Sequence, residues 1–261
     1  MEWLAKCTWK LYYFGEGATT IFQKSESKIY AQKNTEDKIS IKGVIGGGYD
    51  EFWRSKKRYM VCKGSRASKK STTAALKLIV KLMQMPLANA LVVRQTAATL
   101  KDSCYAQLQW AIEKLGVGKF WKATVNPLQL VYLPTGQKII FRGCDDAEKI
   151  KSITVSKGFI CFAWLEEASE VNFDEFDKID KSLRAQMPEG YYIQWMVTFN
   201  PTNVNSWQKS YFFDTPRDNV LAMTTTYKCN EWLSDEFLEL MEWTKKTDPD
   251  RYKVDRLGEW A

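Results

Sequence analysis

Residues 63–78 read KGSRASKKSTTAALKL, Lys63 to Leu78, and the fold turns on whether this stretch is a phosphate-binding loop. Such a loop runs glycine, four residues, glycine, lysine, then serine or threonine. Gly64 opens the pattern and Ser65, Arg66, Ala67 and Ser68 follow. Lys69 stands where the second glycine belongs; Lys70, Ser71 and then Thr72 continue the pattern. Two readings stand at this point: a nucleotide site with one glycine replaced, or a solvated basic helix start. A phosphate loop needs a strand before it and a helix N-terminus after it, so that backbone N–H groups and the helix dipole face an anion. RYMVC (58–62) is a short β-type run. In KSTTAALKLIVKLMQM (70–85), Ala75, Leu78, Ile79 and Leu82 share a helical face. Lys70 directly precedes the hydroxyl residue, so Lys70 rather than Lys69 is the candidate for the β- and γ-phosphates, and Ser71 the candidate for magnesium. A side chain at position 69 is tolerated if it points away from the phosphates, at a cost if the loop needs positive φ there.

Further along, Phe159 to Leu165 form an apolar run that ends in Glu166 and Glu167. Adjacent carboxylates at the end of a buried strand are costly to desolvate without a task. In phosphate-loop ATPases the first such acid holds the magnesium shell and the second orients the attacking water. This ordered pair of signals favours the nucleotide reading over two acids at an ordinary helix cap. MVTFNP (196–201) places Thr198 and Asn200 where the next strand would end, positioned to sense a γ-phosphate. Taken alone, it also reads as a strand end with an Asn-Pro turn.

The 261 residues are 45% hydrophobic, enough for a sizeable core, and the formal net charge of +7 points mildly to a polyanionic partner. The sequence has no histidine, which removes imidazole-dependent nucleophilic chemistry and imidazole-ligated metal sites. Magnesium held by carboxylates, hydroxyls and phosphates is the natural metal. None of the six cysteines forms a C-x-x-C pair, and Cys62 and Cys161 are expected as buried thiols. No apolar run is long enough to span a membrane, and the N-terminus lacks a signal peptide's apolar centre, so an intracellular protein is expected.

Residues 1–45 read as an irregular arm or appendage, ended by a flexible glycine run in GVIGGGYDEFW (43–53). ALVVR (90–94) is a second strand, TAATLKDSCYAQLQWAIEKLG (96–116) a helix, and LQLVYLPTGQKIIFRG (128–143) a hairpin. NFDEFDKIDKSLRAQ (172–186) opens with an Asn172/Glu175 capping box. YYIQWMVTFNP and NVLAMTTTYKCN are further strands, and residues 234–260 read as helical with a break near Pro249. Strands alternating with helices predict an α/β fold around a mostly parallel central sheet.

KGSRASKKSTTAA, FRGCDDAEKIKSI, WLEEASEVNFDEF, VTFNPTNVNSWQKSYFF and LGEW together resemble the ATPase half of tailed-phage terminase large subunits, in the branch of Gram-positive phages and PBSX-like prophages. The resemblance covers roughly residues 45 to 261. It implies a P-loop NTPase of the ASCE type with a mostly parallel sheet, flanking helices and a small C-terminal helical lid. The division it implies is an arm over 1–45, an ATPase core over 46–230 and a lid or linker over 231–261, without the family's nuclease domain. It implies ATP and Mg2+ as cofactors and an ATP-driven motor that packages double-stranded DNA, bound without sequence preference. Portal protein and a small terminase subunit are the implied partners, in the cytoplasm of an infected bacterial host. The implied assembly is a pentamer on the portal, or a monomer when isolated.

By the same resemblance, Gly64 to Ser71 form the phosphate loop, and Arg66 is a charge stabiliser or a switch between ATP binding and the lid. Glu166 corresponds to the magnesium-shell acid, where relatives often have aspartate, and Glu167 to the catalytic glutamate. Thr198, Phe199 and Asn200 match the coupling motif. Lys151 is the candidate for a cation acting in a neighbouring subunit's site, with Lys149 close by; a solvated or DNA-facing lysine is the competing reading. Phe52, Trp53 or Arg54 could meet the adenine, or simply pack at the strand entrance. Asp174, Glu175 and Asp177 read as solvated helix acids. Two functional alternatives remain: a nucleotide- or DNA-binding scaffold whose hydrolysis is weakened by Lys69, and another DNA-translocating ATPase such as a helicase.

Overall fold

The computed structural model describes residues 8–14, 19–25, 41–146 and 153–260. The N-terminal segment is less irregular than its composition suggests: β1 (Thr8–Phe14) and β2 (Thr19–Ser25) pair antiparallel. From Ile41 the described residues form one packed body. Helices α1 (Lys42–Ile45) and α2 (Asp50–Arg54) carry Ile45, Phe52 and Trp53 into the core, with Ile41 and Tyr49 beside them. In the glycine run between them, a Cβ on Gly46 would meet the Cys229 carbonyl, whereas one on Gly47 would meet nothing.

The main body alternates strands and helices: β3 (Tyr59–Gly64), α3 (Lys70–Gln84), β4 (Ala88–Arg94), α4 (Ala106–Lys114), β5 (Trp121–Val125), β6 (Leu128–Tyr132), β7 (Gln137–Gly143), β8 (Phe159–Glu166), α5 (Phe173–Ser182), β9 (Gln194–Phe199) and β10 (Val220–Thr225). Helices α6 (Asp235–Thr247) and α7 (Pro249–Tyr252) follow, separated at Asp248-Pro249. The eight-stranded sheet has the order β10-β3-β9-β8-β4-β7-β6-β5. Pairing is parallel from β10 through β7 and antiparallel across β7, β6 and β5. The mostly parallel α/β expectation therefore holds.

Strand residues alternate between the two faces. Met60, Cys62, Phe162, Trp164 and Met196 pack with α3 and α4 on one side. Tyr59, Val61, Ala163, Leu165, Trp195 and Val197 pack with Phe176 and Ile179 of α5 on the other. Burial on both faces is why these strands read as continuous apolar runs. The Asn172/Glu175 capping box forms as expected, but α5 stops at Ser182, short of the end of the stretch read as helical. The run over 96–116 is not one regular helix: a 3-10 turn (Ala97–Thr99) and a π turn (Lys101–Tyr105) precede α4. Cys62 and Cys161 are fully buried free thiols.

Candidate nucleotide site

The carboxyl ends of β3, β9 and β8 lie side by side in the sheet, the crevice where open parallel sheets bind ligands. The register places Cys62 beside Thr198 and Glu166 beside Thr198. The loop from Gly64 to Ser71, the acid pair and the Thr198–Asn200 segment are thus brought together by strand pairing, although more than a hundred residues separate the first from the last.

Gly64 is required by close approach. A Cβ there would lie 2.6 Å from the Thr225 carbonyl oxygen and closer still to the Thr225 hydroxyl. Gly258, in LGEW, faces the same point: a Cβ on it would lie 2.9 Å from Gly64 Cα and 2.9 Å from the Thr225 carbonyl oxygen. The Ser65 N–H donates to the Thr225 carbonyl at 3.0 Å and the Arg66 N–H to the Asp255 carbonyl at 3.0 Å. Ser68 Oγ donates to the Ser65 carbonyl at 2.9 Å, and the buried Tyr49 hydroxyl donates to the Ser68 carbonyl. Burial holds that phenol far above its usual range, so Tyr49 is a permanent donor.

Lys69 does adopt the left-handed conformation that the missing glycine would take freely, with φ 66°, and Ala67 does so at φ 59°. A left-handed residue other than glycine costs about 1–2 kcal/mol. The Lys69 side chain leaves the loop: Nζ donates to the Val44 carbonyl at 2.9 Å and lies 3.2 Å from the centroid of the Trp232 ring. The Ala67 carbonyl accepts from Asn230 Nδ2 at 3.0 Å. The concave side of the loop is therefore clear of the Lys69 ammonium.

Lys70 opens α3 and is buried, its Nζ donating to the Ser65 carbonyl at 3.0 Å. Burial lowers its pKa, an effect opposed by Glu166 and Glu167. Ser71 Oγ donates to Glu166 Oε1, and Thr198 Oγ1 donates to Glu166 Oε2. Burial raises the Glu166 pKa, against the pull of those two hydroxyls. Glu167 leaves the strand in the left-handed region, φ 52°, turning the chain out of β8 at the site. Backbone strain of this kind concentrates where groups must be aimed. Phe199 is buried with its ring 5.8 Å from that of Trp260, and Asn200 and Trp260 line one small cavity of about 180 Å3.

Several of the remaining predicted residues have partners of their own. The Arg66 guanidinium is engaged by Asp255, Nε to Oδ1 at 3.1 Å, and Asp255 also receives Arg251 Nε at 3.3 Å. Phe52 and Trp53 are buried in the core, and the Phe52 carbonyl accepts from the buried Lys77 at 2.6 Å, so both rings pack at the strand entrance, while Arg54 is exposed. A cavity of about 470 Å3 instead opens beside the loop, lined by Val44, Ala67, Lys69, Thr72, Trp110 and Trp232 among others. Thr72 also lines a second cavity of about 600 Å3 together with Ser71, Asp102, Trp164 and Glu166. Asp174 is exposed, Glu175 caps α5 and Asp177 pairs with Lys181, which agrees with their reading as helix acids. Lys149 and Lys151 lie outside the described residues.

Tyr49, Trp164, Thr225 and Trp232 were not among the candidates. Only Trp164 carries a local signal, since two residues before Glu166 on a strand means the same face.

The hydroxyl and carboxylate donors of Ser71 and Glu166 are hard oxygen ligands of the type magnesium takes, and the adjoining loop can receive an anion; the residues present fit a magnesium nucleotide. The sequence signature described as phage terminase large subunit matches residues 56–259. The large terminase subunit of Bacillus phage SPP1 is 38% identical over 218 residues, covering 80% of this chain and 51% of that protein. The PBSX phage terminase large subunit of Bacillus subtilis strain 168 is 29% identical over 228 residues, covering 80% and 50%. A large terminase from a thermophilic bacteriophage, solved in complex with ADP, superposes with a TM-score of 0.64 at 15% identity, covering 80% of this chain and 51% of that one. The chain spans about half the length of the curated relatives it matches. With its mostly parallel sheet, phosphate-type loop and acid pair, this chain belongs to the phage terminase large subunit family.

Proposed function

We propose that this chain binds and hydrolyses ATP with magnesium and that turnover drives double-stranded DNA into a capsid. The observation that carries the reading is the junction of Ser71 and Glu166 at the start of α3, with Lys70 buried next to it and Glu167 turned out of the strand beside it. Lys70 exchanges the Ser65 carbonyl for the β- and γ-phosphates, while the N–H groups of residues 67–72 face the phosphate oxygens; those of Ser65 and Arg66 stay on the Thr225 and Asp255 carbonyls. Ser71 and Glu166 would hold a magnesium ion, which when bound would supply positive charge against the phosphate oxygens. Glu167 orients the water that attacks the γ-phosphorus; the bond to the β,γ-bridging oxygen breaks, ADP leaves with its new charge on the β-phosphate, and the water's proton leaves with the inorganic phosphate. Arg66, released from Asp255, adds positive charge at the loop. Thr198, Phe199 and Asn200 carry the change at Glu166 to the lid, residues 231–261, through the Phe199–Trp260 contact. The adenine lies in the cavity beside Thr72, where Trp110 and Trp232 supply aromatic surface.

Membership of the terminase large subunit family supports the packaging role, and the thermophilic-phage terminase complexes with ADP and ATP-gamma-S support the nucleotide. On the same ground we infer portal protein and a small terminase subunit as partners, and a pentamer on the portal or a monomer when isolated, in the host cytoplasm. The net charge of +7 supports duplex binding through phosphates rather than bases. The test is ATP turnover with and without duplex DNA across a salt titration. The expected result is magnesium-dependent turnover and DNA binding that is indifferent to sequence and falls steeply with salt. Nucleotide binding with no turnover under any of these conditions would favour the defective-scaffold reading.

A further inference from the structure

We propose that Trp164 is a positioning residue for the metal-holding carboxylate, acting through Thr198; the inference rests on the nucleotide-site reading above. Trp164 and Glu166 lie two residues apart on β8 and share its α3 face, and Thr198 sits opposite Glu166 on β9. The Trp164 indole is fully buried, and its Nε1–H donates to Thr198 Oγ1 at 2.8 Å. An indole N–H can only donate, while a hydroxyl has one proton and two acceptor positions. With one acceptor position taken by the indole, the Thr198 proton has two targets: the Leu165 carbonyl at 3.3 Å, or Glu166 Oε2, which is closer. The indole thereby turns the threonine into a fixed donor to the carboxylate.

The other hydroxyl on Glu166 plays a different part. Ser71 donates its proton to Oε1, but a hydroxyl that ligates a cation presents a lone pair to it and must turn its proton elsewhere. Of the two side-chain donors to Glu166 among the described residues, only Thr198 is anchored independently of the metal. Glutamate has one more side-chain torsion than aspartate, so a glutamate used as a metal-shell acid has more freedom to lose. The chain Trp164–Thr198–Glu166 removes part of that freedom in advance, as polar networks do when every member is satisfied.

The test compares wild type, Trp164→Phe, Thr198→Val and the double variant for the ratio of ATP-gamma-S affinity with magnesium to that without it. Losing one hydrogen bond should lower that ratio about three- to tenfold in Trp164→Phe. Thr198→Val should lower it at least as much, and the double variant no further than Thr198→Val alone. A ratio unchanged in Trp164→Phe, or losses that add in full, would overturn the proposal and leave the indole as packing. A wild-type ratio near one would remove the nucleotide-site reading itself, and this inference with it. A second measurement does not depend on the folding of Trp164→Phe: with tryptophan labelled with nitrogen-15, Thr198→Val should move one slowly exchanging indole N–H resonance. If none moves, the contact does not exist in solution and the proposal fails.

Discussion

The ammonium of Lys69 sits 3.2 Å from the centroid of the Trp232 ring while its own backbone is held at φ 66°. A contact between residues far apart in the sequence thus holds the side chain of a residue that departs from the phosphate-loop pattern. A cation on an aromatic face contributes about 0.5–2 kcal/mol, comparable to the left-handed cost of about 1–2 kcal/mol.

Lys69→Gly removes both terms, so thermal stability and ATP affinity should stay close to wild type. Lys69→Ala keeps the left-handed cost and loses the ring contact, so it should lower the melting temperature more than Lys69→Gly. Lys70→Ala should weaken ATP binding by well over tenfold, because Lys70 is the buried cation at the loop. Calorimetric titration of the three variants with ATP, beside their melting curves, reads all of this. Lys69→Ala losing binding while Lys70→Ala keeps it would show that the loop register is wrong.

The acid pair should separate by its response to magnesium. Glu167→Gln keeps the shape and loses the charge that orients water, a role worth ~10²–10⁴-fold in rate. Turnover should fall by at least the lower end of that range at every magnesium concentration, with nucleotide affinity retained. Glu166→Gln weakens the metal shell, so its defect should shrink as magnesium is raised. Steady-state turnover of both variants across a magnesium titration distinguishes them.

Gly258 predicts an effect on the nucleotide from outside the loop. Gly258→Ala would put a Cβ 2.9 Å from Gly64 Cα and 3.0 Å from the Ser65 nitrogen, at a φ of 65°. The loop would have to shift, so both melting temperature and ATP affinity should fall, the former by an amount equivalent to about 1–3 kcal/mol. Normal ATP affinity in a folded Gly258→Ala protein would show that the LGEW turn does not support the phosphate loop.

The buried thiols make stability sensitive to alkali. Burial raises the pKa of Cys62 to about 11 and those of Cys144 and Cys161 to about 12, from an ordinary 9.0. Below pH 9 these thiols are neutral in both states and add no pH dependence. Above it the unfolded chain ionises first, so stability is lost as pH rises through the folded values. The melting temperature should therefore decline between pH 9 and 11, and iodoacetamide at pH 8 should spare all three in the folded protein. Rapid alkylation of Cys62 at that pH would show that β3 opens readily.

The sequence by itself determined the local elements and their order. Apolar runs with period and turn signals located β3, β4, β8 and β9, the β6–β7 hairpin and the Asn172/Glu175 cap, because each depends on residues within a few positions of one another. Spacing alone distinguished Lys70 from Lys69 and placed Glu166 and Glu167 at a strand end. The short strand β5 and the π turn before α4 escaped the reading, since a five-residue strand and an extra residue per turn leave little periodicity to detect. Only the tertiary structure decided how the departure from the loop pattern is accommodated. Lys69 finds the Val44 carbonyl and the Trp232 ring, Gly64 meets Gly258 and Thr225, and Trp164 reaches Glu166 through Thr198. These partners are chosen by strand register and helix packing, so the energy that holds them depends on positions distant in the chain, and no local pattern of residues encodes it.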